Sequence, residues 1–213
     1  MSRSDSMVRQ DTDVTEDLGE PTPVAGTPAD EVARAQRDVC AEVTTALDAV
    51  DPDATLELVS EIRTAERIFV LGAGRSKLMV DAFAMRLMHL GFRAYAVSDV
   101  TTPAIDGGTD LLIACSGSGA TPTVVGHVET ALEAGARAVA LTATADSPLA
   151  ELAHKVVLIQ ERSGNGEVGG SVQFIGTLFE QCALLYLDAV VLFTERERRV
   201  NRARMAQRHT NFE

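Results

Sequence analysis

The chain has 213 residues, 46% of them hydrophobic, and carries a formal net charge of −12 at neutral pH. This composition predicts one domain with a sizeable core, and the acidic balance argues against a nucleic-acid-binding protein, which normally presents a basic face. Because the three cysteines lack metal-site or disulfide spacing and the sequence has no signal peptide and no apolar run of about 18 residues, we expect a cytoplasmic protein without a metal or a membrane span.

The N-terminal part of the chain divides into a tail and two helices. Residues 1–30 are acidic, contain three prolines and carry few apolar side chains, which is typical of a disordered tail. Between residues 31 and 50, valine and leucine recur at helical spacing. Asp51 and Pro52 then supply the cap and the first residue of a second helix. We therefore expect a single domain over residues 31–213.

From residue 68 onward, short apolar runs alternate with helical patterns. The predicted strands span residues 68–71, 94–97, 111–114, 138–141 and 156–159, and the predicted helices span residues 76–90 and 122–134, with a short one opened by Ser147 and Pro148. Such strands are typical of a parallel sheet covered on both faces. The predicted fold class is therefore α/β, a doubly wound three-layer sandwich with a five-stranded parallel sheet. A long helix over residues 174–194 and a solvated, charged terminal helix over residues 195–208 are expected to follow.

The third predicted strand leads into a loop of hydroxyls and glycines, Ser116-Gly117-Ser118-Gly119-Ala120-Thr121. Glycines let the backbone turn sharply and approach a ligand closely. The helix that follows presents unpaired N–H groups and the positive end of its dipole. With the three hydroxyls, this arrangement is typical of a phosphate site, and the alternative interpretation is an ordinary helix cap.

A second loop, Gly72-Ala73-Gly74-Arg75-Ser76, follows the first predicted strand. Lys77 occupies the place of the third glycine of a dinucleotide-binding motif, and the spacing does not match a P-loop. Because the two loops follow neighbouring parallel strands, we expect one small ligand at a switch point of the sheet. Arg75, Lys77 and Arg86 are interpreted as surface charges on a helix.

Four further segments carry a resemblance to a known family. They are Phe83-Ala84-Met85-Arg86-Leu87-Met88-His89-Leu90-Gly91, Thr101-Thr102-Pro103-Ala104, Gly176-Thr177-Leu178-Phe179-Glu180 and Arg208-His209-Thr210-Asn211-Phe212-Glu213. Together with the two glycine loops, they resemble the 6-phospho-3-hexuloisomerases, which are sugar-phosphate isomerases with a SIS (sugar isomerase) domain. The resemblance spans roughly residues 35–213.

The resemblance implies a reaction and a set of partners. The reaction is the interconversion of D-arabino-hex-3-ulose 6-phosphate and D-fructose 6-phosphate, a step of formaldehyde fixation in the ribulose monophosphate pathway. It proceeds by proton transfer between C2 and C3 through a cis-enediol, which needs a base and donors for an oxyanion. The resemblance also implies a small-molecule sugar phosphate as the partner, no metal or organic cofactor, and a homo-oligomer that is either a dimer or a tetramer.

The same resemblance assigns roles to single residues. It implies that Glu180 is the base and that His89 assists ring opening or polarises a carbonyl, in its own site or in that of a neighbouring subunit. Without the resemblance, Glu180 would be interpreted as part of one face of a long helix and His89 as a packed structural histidine. The implied phosphate ligands are Ser116, Ser118 and Thr121, and the residues expected to contact sugar hydroxyls are Gly74 and Ser76.

Two positions depart from the family pattern. Ala120 stands where a glutamate is usual, and Phe174-Ile175 replaces a pair that begins with proline. Two alternatives therefore stay open, namely another isomerase of this fold, such as an arabinose 5-phosphate isomerase, and a sugar-phosphate sensor without catalysis. The first commonly carries regulatory domains for which we expect no room in this chain. A transcriptional sensor would need a basic helix-turn-helix, which the acidic residues 1–31 do not provide.

Overall fold

The computed structural model of the protein describes residues 26–162 and 166–211. The strands are β1 Arg67–Gly72, β2 Ala94–Ala96, β3 Asp110–Cys115, β4 Arg137–Thr142 and β5 Lys155–Leu158. They form one sheet in the order β2-β1-β3-β4-β5, and every neighbouring pair is parallel. The predicted five-stranded parallel sheet is confirmed.

Helices cover both faces of this sheet. In chain order they are α1 Pro28–Asp48, α2 Pro52–Thr64, α3 Gly74–Leu90, α4 Pro122–Glu133, α5 Pro148–Leu152, α6 Thr177–Glu197 and α7 Arg202–Gln207. Alternate residues of a strand point to opposite faces. Leu111 and Ile113 therefore join a core with buried residues of α1, α2, α3 and α6, whereas Leu112 and Ala114 join a core with α4. The three-layer sandwich is confirmed.

The first helix begins earlier than the sequence predicted. The side-chain oxygen of Thr27 accepts a hydrogen bond from the amide of Asp30, and the carboxylate of Asp30 accepts one from the amide of Thr27. This capping box, with Pro28 at the first helical position, starts α1 inside the segment predicted as a tail. The prediction of a tail up to residue 30 was therefore wrong for residues 28–30, and residues 1–25 lie outside the described residues.

The C-terminal helices also differ from their predicted bounds. The long helix starts at Thr177 instead of residue 174, because Gly176 takes a left-handed conformation with φ 81° as its N-cap. The charged segment 195–208 is not one helix, since α6 ends at Glu197 and the chain turns at Arg199, with φ 50°, before α7. In length and composition α6 would suit a membrane span, but 50% of its most apolar window is buried in the protein, which makes it a core helix of the fold.

Candidate active site

The two glycine loops meet at one edge of the sheet. β1 and β3 are neighbours, and the chain leaves them into helices that join opposite faces, α3 on one side and α4 on the other. In a doubly wound sheet such a switch point opens a crevice at the carboxyl ends of the strands. Here the crevice is a cleft of about 270 Å³ lined by Ala73, Ser76, Cys115, Ser116, Gly117, Ser118, Thr121, Ile175, Gly176, Phe179 and Glu180.

The loop after β3 presents its hydroxyls to this cleft. Oγ of Ser116 lies 3.0 Å from Oγ1 of Thr121, and the amide of Ala120 donates to Oγ of Ser118 at 3.3 Å. Thr121 is the N-cap of α4, yet its side chain makes no capping hydrogen bond. The hydroxyls of Ser116 and Thr121 therefore face each other at the positive end of the α4 dipole, an arrangement that favours an anion.

Residues of β4 and α5 hold the same loop through hydrogen bonds to its backbone. The carbonyl of Gly119 accepts a hydrogen bond from the amide of Leu149 at 2.9 Å, and the carbonyl of Gly117 accepts one from Oγ1 of Thr142 at 3.2 Å. Gly119 has φ +61°, and a Cβ at this position would lie 2.1 Å from Oγ of Ser147. The backbone of the loop is therefore fixed before any ligand binds.

The loop after β1 supports the opposite side of the cleft. A Cβ at Gly72 would lie 2.8 Å from the amide nitrogen of Lys77, so only glycine lets the first turn of α3 pack against the end of β1. Ser76 lines the cleft and is 8% exposed. Gly74, with φ +56°, belongs to the same turn but does not line the cleft.

Glu180 is brought to the cleft by the first turn of α6. Its side chain is 17% exposed, and its Oε2 lies 3.0 Å from Nε of Arg75, whose side chain is 50% exposed. Arg75 is exposed on α3, as predicted for a surface charge, and its ion pair with Glu180 is a contact that the sequence analysis did not predict. Arg75 and Glu180 belong to separate elements, so neither helical spacing nor a local motif could indicate their pairing.

Cys115 is a cleft residue that the sequence reasoning passed over. It ends β3 and is completely buried. Burial and, to a lesser extent, the charge of Glu180 raise the pKa of its thiol to about 12, although a hydrogen bond with Ser76 acts in the opposite direction. The thiol is therefore protonated at neutral pH and does not act as a nucleophile.

His89 lies away from the cleft of its own chain. It follows Ser76 by 13 residues of the same helix, a distance of about 20 Å along the axis. The ring is 3% exposed and stacks on His209 with centroids 5.2 Å apart, while Nη1 of Arg208 donates to the carbonyl of His89 at 2.9 Å. Within one chain the structure does not bring His89 and Glu180 together, so a role in the site would require a second copy.

The other charges named from the sequence do not enter the cleft. Nζ of Lys77 pairs with the carboxylate of Asp81 one turn later on α3, as expected for a surface lysine, and Arg86 is exposed.

The unusual pair Phe174 and Ile175 is 85% and 88% exposed, with Ile175 at the rim of the cleft. Among the described residues, no group of three or more potential ligands could hold a metal ion.

Comparisons with known proteins show which family this chain is similar to. A family model described as the SIS domain matches residues 61–190. The 3-hexulose-6-phosphate isomerase of Mycobacterium gastri is 43% identical over 167 residues, which cover 77% of this chain and 82% of that protein. The enzyme of the same name from Bacillus subtilis is 35% identical over 159 residues, or 74% of this chain and 85% of that protein.

A solved structure is similar in fold to this chain. It is that of a Methanococcus jannaschii protein for which a function as 3-hexulose-6-phosphate isomerase has been inferred. The two chains superpose with a TM-score of 0.73 and 28% identity, over 84% of this chain and 99% of that one.

Proposed function

Since the chain belongs to the SIS-domain family and, within it, to the 3-hexulose-6-phosphate isomerases, we propose that it interconverts D-arabino-hex-3-ulose 6-phosphate and D-fructose 6-phosphate. One observation carries the proposal. Glu180, a carboxylate on a first helical turn, shares a single cleft with the hydroxyl loop of residues 116–121. A sugar phosphate held at that loop would extend its carbon chain past this base.

The loop supplies the phosphate site. The hydroxyls of Ser116, Ser118 and Thr121 and the N-terminus of α4 offer donors to a dianion without a cation. Hydrogen bonds to a charged group contribute about 1.5 to 3 kcal/mol each, so a few of them hold the substrate by its phosphate. The lining residue Ser76 then faces the sugar hydroxyls from the other side of the cleft.

Glu180 carries out the proton transfer. Its carboxylate removes the proton from C2 of the 3-ketose, the C2–H electron pair forms the C2=C3 bond, and the carbonyl oxygen on C3 becomes the oxyanion of a cis-enediolate. The proton is then delivered to C3, while the hydroxyl proton on O2 moves to O3 and leaves a carbonyl at C2. One carboxylate therefore serves first as base and then as acid. Because the reaction is an isomerisation, it needs no oxidant or reductant.

Arg75 orients this base and supports the oxyanion. Its Nε holds one carboxylate oxygen of Glu180 at 3.0 Å, which leaves the other oxygen for the substrate. Its guanidinium has further donors on a half-exposed side chain. A cation beside the developing enediolate stabilises the charge that appears in the transition state.

We further propose a homo-oligomer in the cytoplasm. Leu56, Leu185 and Phe193 are 52%, 46% and 42% exposed and line an apolar groove of about 420 Å³ between α2 and α6. Apolar surface of this kind is more stable against another protein surface than in water. A second copy could also bring His89 to the cleft, which one chain by itself does not do.

Turnover by the wild-type protein is the first test. Enzymatically generated hex-3-ulose 6-phosphate is supplied, and fructose 6-phosphate is read through a coupled dehydrogenase. We expect robust formation of fructose 6-phosphate without added metal. A wild-type protein that binds sugar phosphates but does not turn over this substrate would contradict the proposal and favour another isomerase or a sensor.

The ring-opening role of His89 has its own signature. Fructose 6-phosphate closes a ring through O5 onto C2, whereas the 3-ketose, with O6 esterified, cannot close a five-membered ring through C3 and stays open. His89→Ala should therefore slow the reaction from fructose 6-phosphate more than the reaction from the 3-ketose. The measurement is the ratio of the two initial rates, and an unchanged ratio would contradict the ring-opening role.

A further inference from the structure

Glu42 is a buried carboxylate that the proposed mechanism does not use. It lies in the second half of α1 and is 2% exposed. None of the ion pairs found among residues 26–162 and 166–211 includes it. Because a buried charge is unfavourable unless it is paired or well hydrogen-bonded, neutral donors must stabilise this side chain.

Three consecutive residues that precede α6 supply the donors. Oγ of Ser171 donates to Oε2 of Glu42 at 2.9 Å, and the amide of Val172 donates to Oε1 at 2.7 Å. Nε2 of Gln173 donates to Oε2 at 3.0 Å. Since these donors belong to one short stretch and the acceptor sits in a helix, Glu42 fixes the path of residues 171–173.

The stretch that Glu42 binds belongs to a segment with exposed apolar side chains. We call residues 171–176 the wall segment. Its apolar residues Val172, Phe174 and Ile175 are 73%, 85% and 88% exposed, so apolar burial does not determine its conformation. Oε1 of Gln173 accepts a further hydrogen bond from Nε2 of Gln181 at 2.9 Å, which links the Glu42 contact to α6.

The wall segment leads directly into the active site. Ile175 and Gly176 line the cleft, and Gly176 is the N-cap of α6. The amide of Glu180 donates to the carbonyl of Gly176 at 3.1 Å. The place of Glu180 therefore depends on the conformation of the wall segment.

We propose that Glu42 is a positioning residue of the active site, which holds the wall segment so that Ile175 and Gly176 close one side of the cleft and α6 presents Glu180 to the substrate. This role rests on the proposed function. Loss of the carboxylate then slows the proton transfer and leaves phosphate binding intact, because the hydrogen bonds of Glu42 go to the wall segment and the phosphate loop is held by β4 and α5.

The test compares the wild type with Glu42→Gln and a control, Tyr186→Phe. Glu42→Gln keeps the shape of the side chain, but an amide has only one acceptor oxygen for three donors. Tyr186→Phe also removes a partly buried hydrogen bond of α6, that of Oη to Oγ1 of Thr55 at 3.1 Å, without touching the wall segment. Three experiments are made: steady-state kinetics with fructose 6-phosphate, which give kcat and KM, inhibition by inorganic phosphate, and amide hydrogen exchange.

In Glu42→Gln we expect kcat to fall by about tenfold to a hundredfold, as when a base is misplaced by about 1 Å, with inhibition by phosphate within about twofold of wild type. Amides of residues 171–176 should exchange faster, whereas those of residues 111–134 should keep their wild-type rates. Tyr186→Phe should leave kcat and the exchange of the wall segment unchanged.

Wild-type kcat with wild-type exchange in the wall segment would overturn the proposal. Faster exchange throughout the protein would overturn it too, because that result indicates a purely structural role. If Glu42→Gln does not fold, Gln173→Met removes one donor from the segment's side of the same contact and is measured in the same way. An inactive wild type would count against the proposed function, while hydrogen exchange would still test the hold of Glu42 on the wall segment.

Discussion

The two glycine loops of the candidate active site lie side by side but are built in different ways. The loop after β3 offers neutral hydroxyls and is fixed from behind by β4 and α5, with Gly119 against Ser147. The loop after β1 packs directly on its own helix and carries a cation, Arg75, to the carboxylate of Glu180. The first is suited to holding a dianion in place, and the second to orienting a base.

This difference separates binding from chemistry. A rigid set of hydroxyls costs little reorganisation when a phosphate arrives, since its backbone is already fixed. The half-exposed side chain of Arg75 can instead adjust as charge moves from the carboxylate to the substrate in the proposed mechanism. Substitutions in the loop after β3 should therefore change KM or stability, and substitutions around Arg75 and Glu180 should change kcat.

The largest expected effect is that of Glu180→Gln, which removes the base and keeps the size of the side chain. We expect kcat to fall by about 10² or more, the usual contribution of general acid–base catalysis, in both directions of the reaction. The measurement is the coupled assay, with circular dichroism to verify the fold. A variant that retains more than half of the wild-type kcat would remove Glu180 from the mechanism.

Next comes Gly119→Ala, which tests the rigidity of the phosphate loop. The new Cβ would lie 2.1 Å from Oγ of Ser147, and the backbone has φ +61°, so both packing and conformation oppose it. We expect the free energy of unfolding to fall by about 2 to 4 kcal/mol in urea titrations. Gly126→Ala is the matched control, because a Cβ there meets nothing within 4 Å and the residue lies inside α4. It should be neutral or slightly stabilising.

Arg75→Met tests the loop that orients the base. Removal of the guanidinium leaves Glu180 without its ion-pair partner at 3.0 Å, and we expect kcat/KM to fall while the fold is unchanged. A charge-assisted contact of about 1.5 to 3 kcal/mol corresponds to about a tenfold to hundredfold loss. Arg75→Lys should recover only part of the activity, since an ammonium cannot reproduce the fork of donors. Full activity in both variants would show that Arg75 takes no part in the reaction.

The smallest expected effect is that of Ser118→Ala in the phosphate loop. It removes one exposed hydroxyl, so KM should rise by about tenfold with kcat nearly unchanged, as for the loss of a single hydrogen bond to a charged group. Lys77→Met serves as the control, because Lys77 pairs with Asp81 on its own helix. A fall in kcat for Ser118→Ala, with KM unchanged, would break the division between the two loops.

Local chemistry made much of the fold predictable. Asp51 caps α2 by accepting a hydrogen bond from the amide of Asp53 at 2.9 Å, and Gly91 ends α3 in a left-handed conformation with φ 96°. Both signals are legible in a few neighbouring residues. The start of α1 was misplaced because its capping box precedes the first apolar residue of the helical pattern, Val32.

The sequence by itself determined the parallel sheet and the two loops, because apolar runs, glycines and hydroxyls act on their immediate neighbours. Only the tertiary structure decided what those loops face. It paired Arg75 with Glu180, joined Glu42 to the segment before α6, and placed His89 at the far end of α3 from the cleft. The two contacts join residues of different elements, and chain order carries no information about such distances until the elements pack. The separation of His89 from the cleft follows from the length of α3, and the packing of the chain does not shorten it.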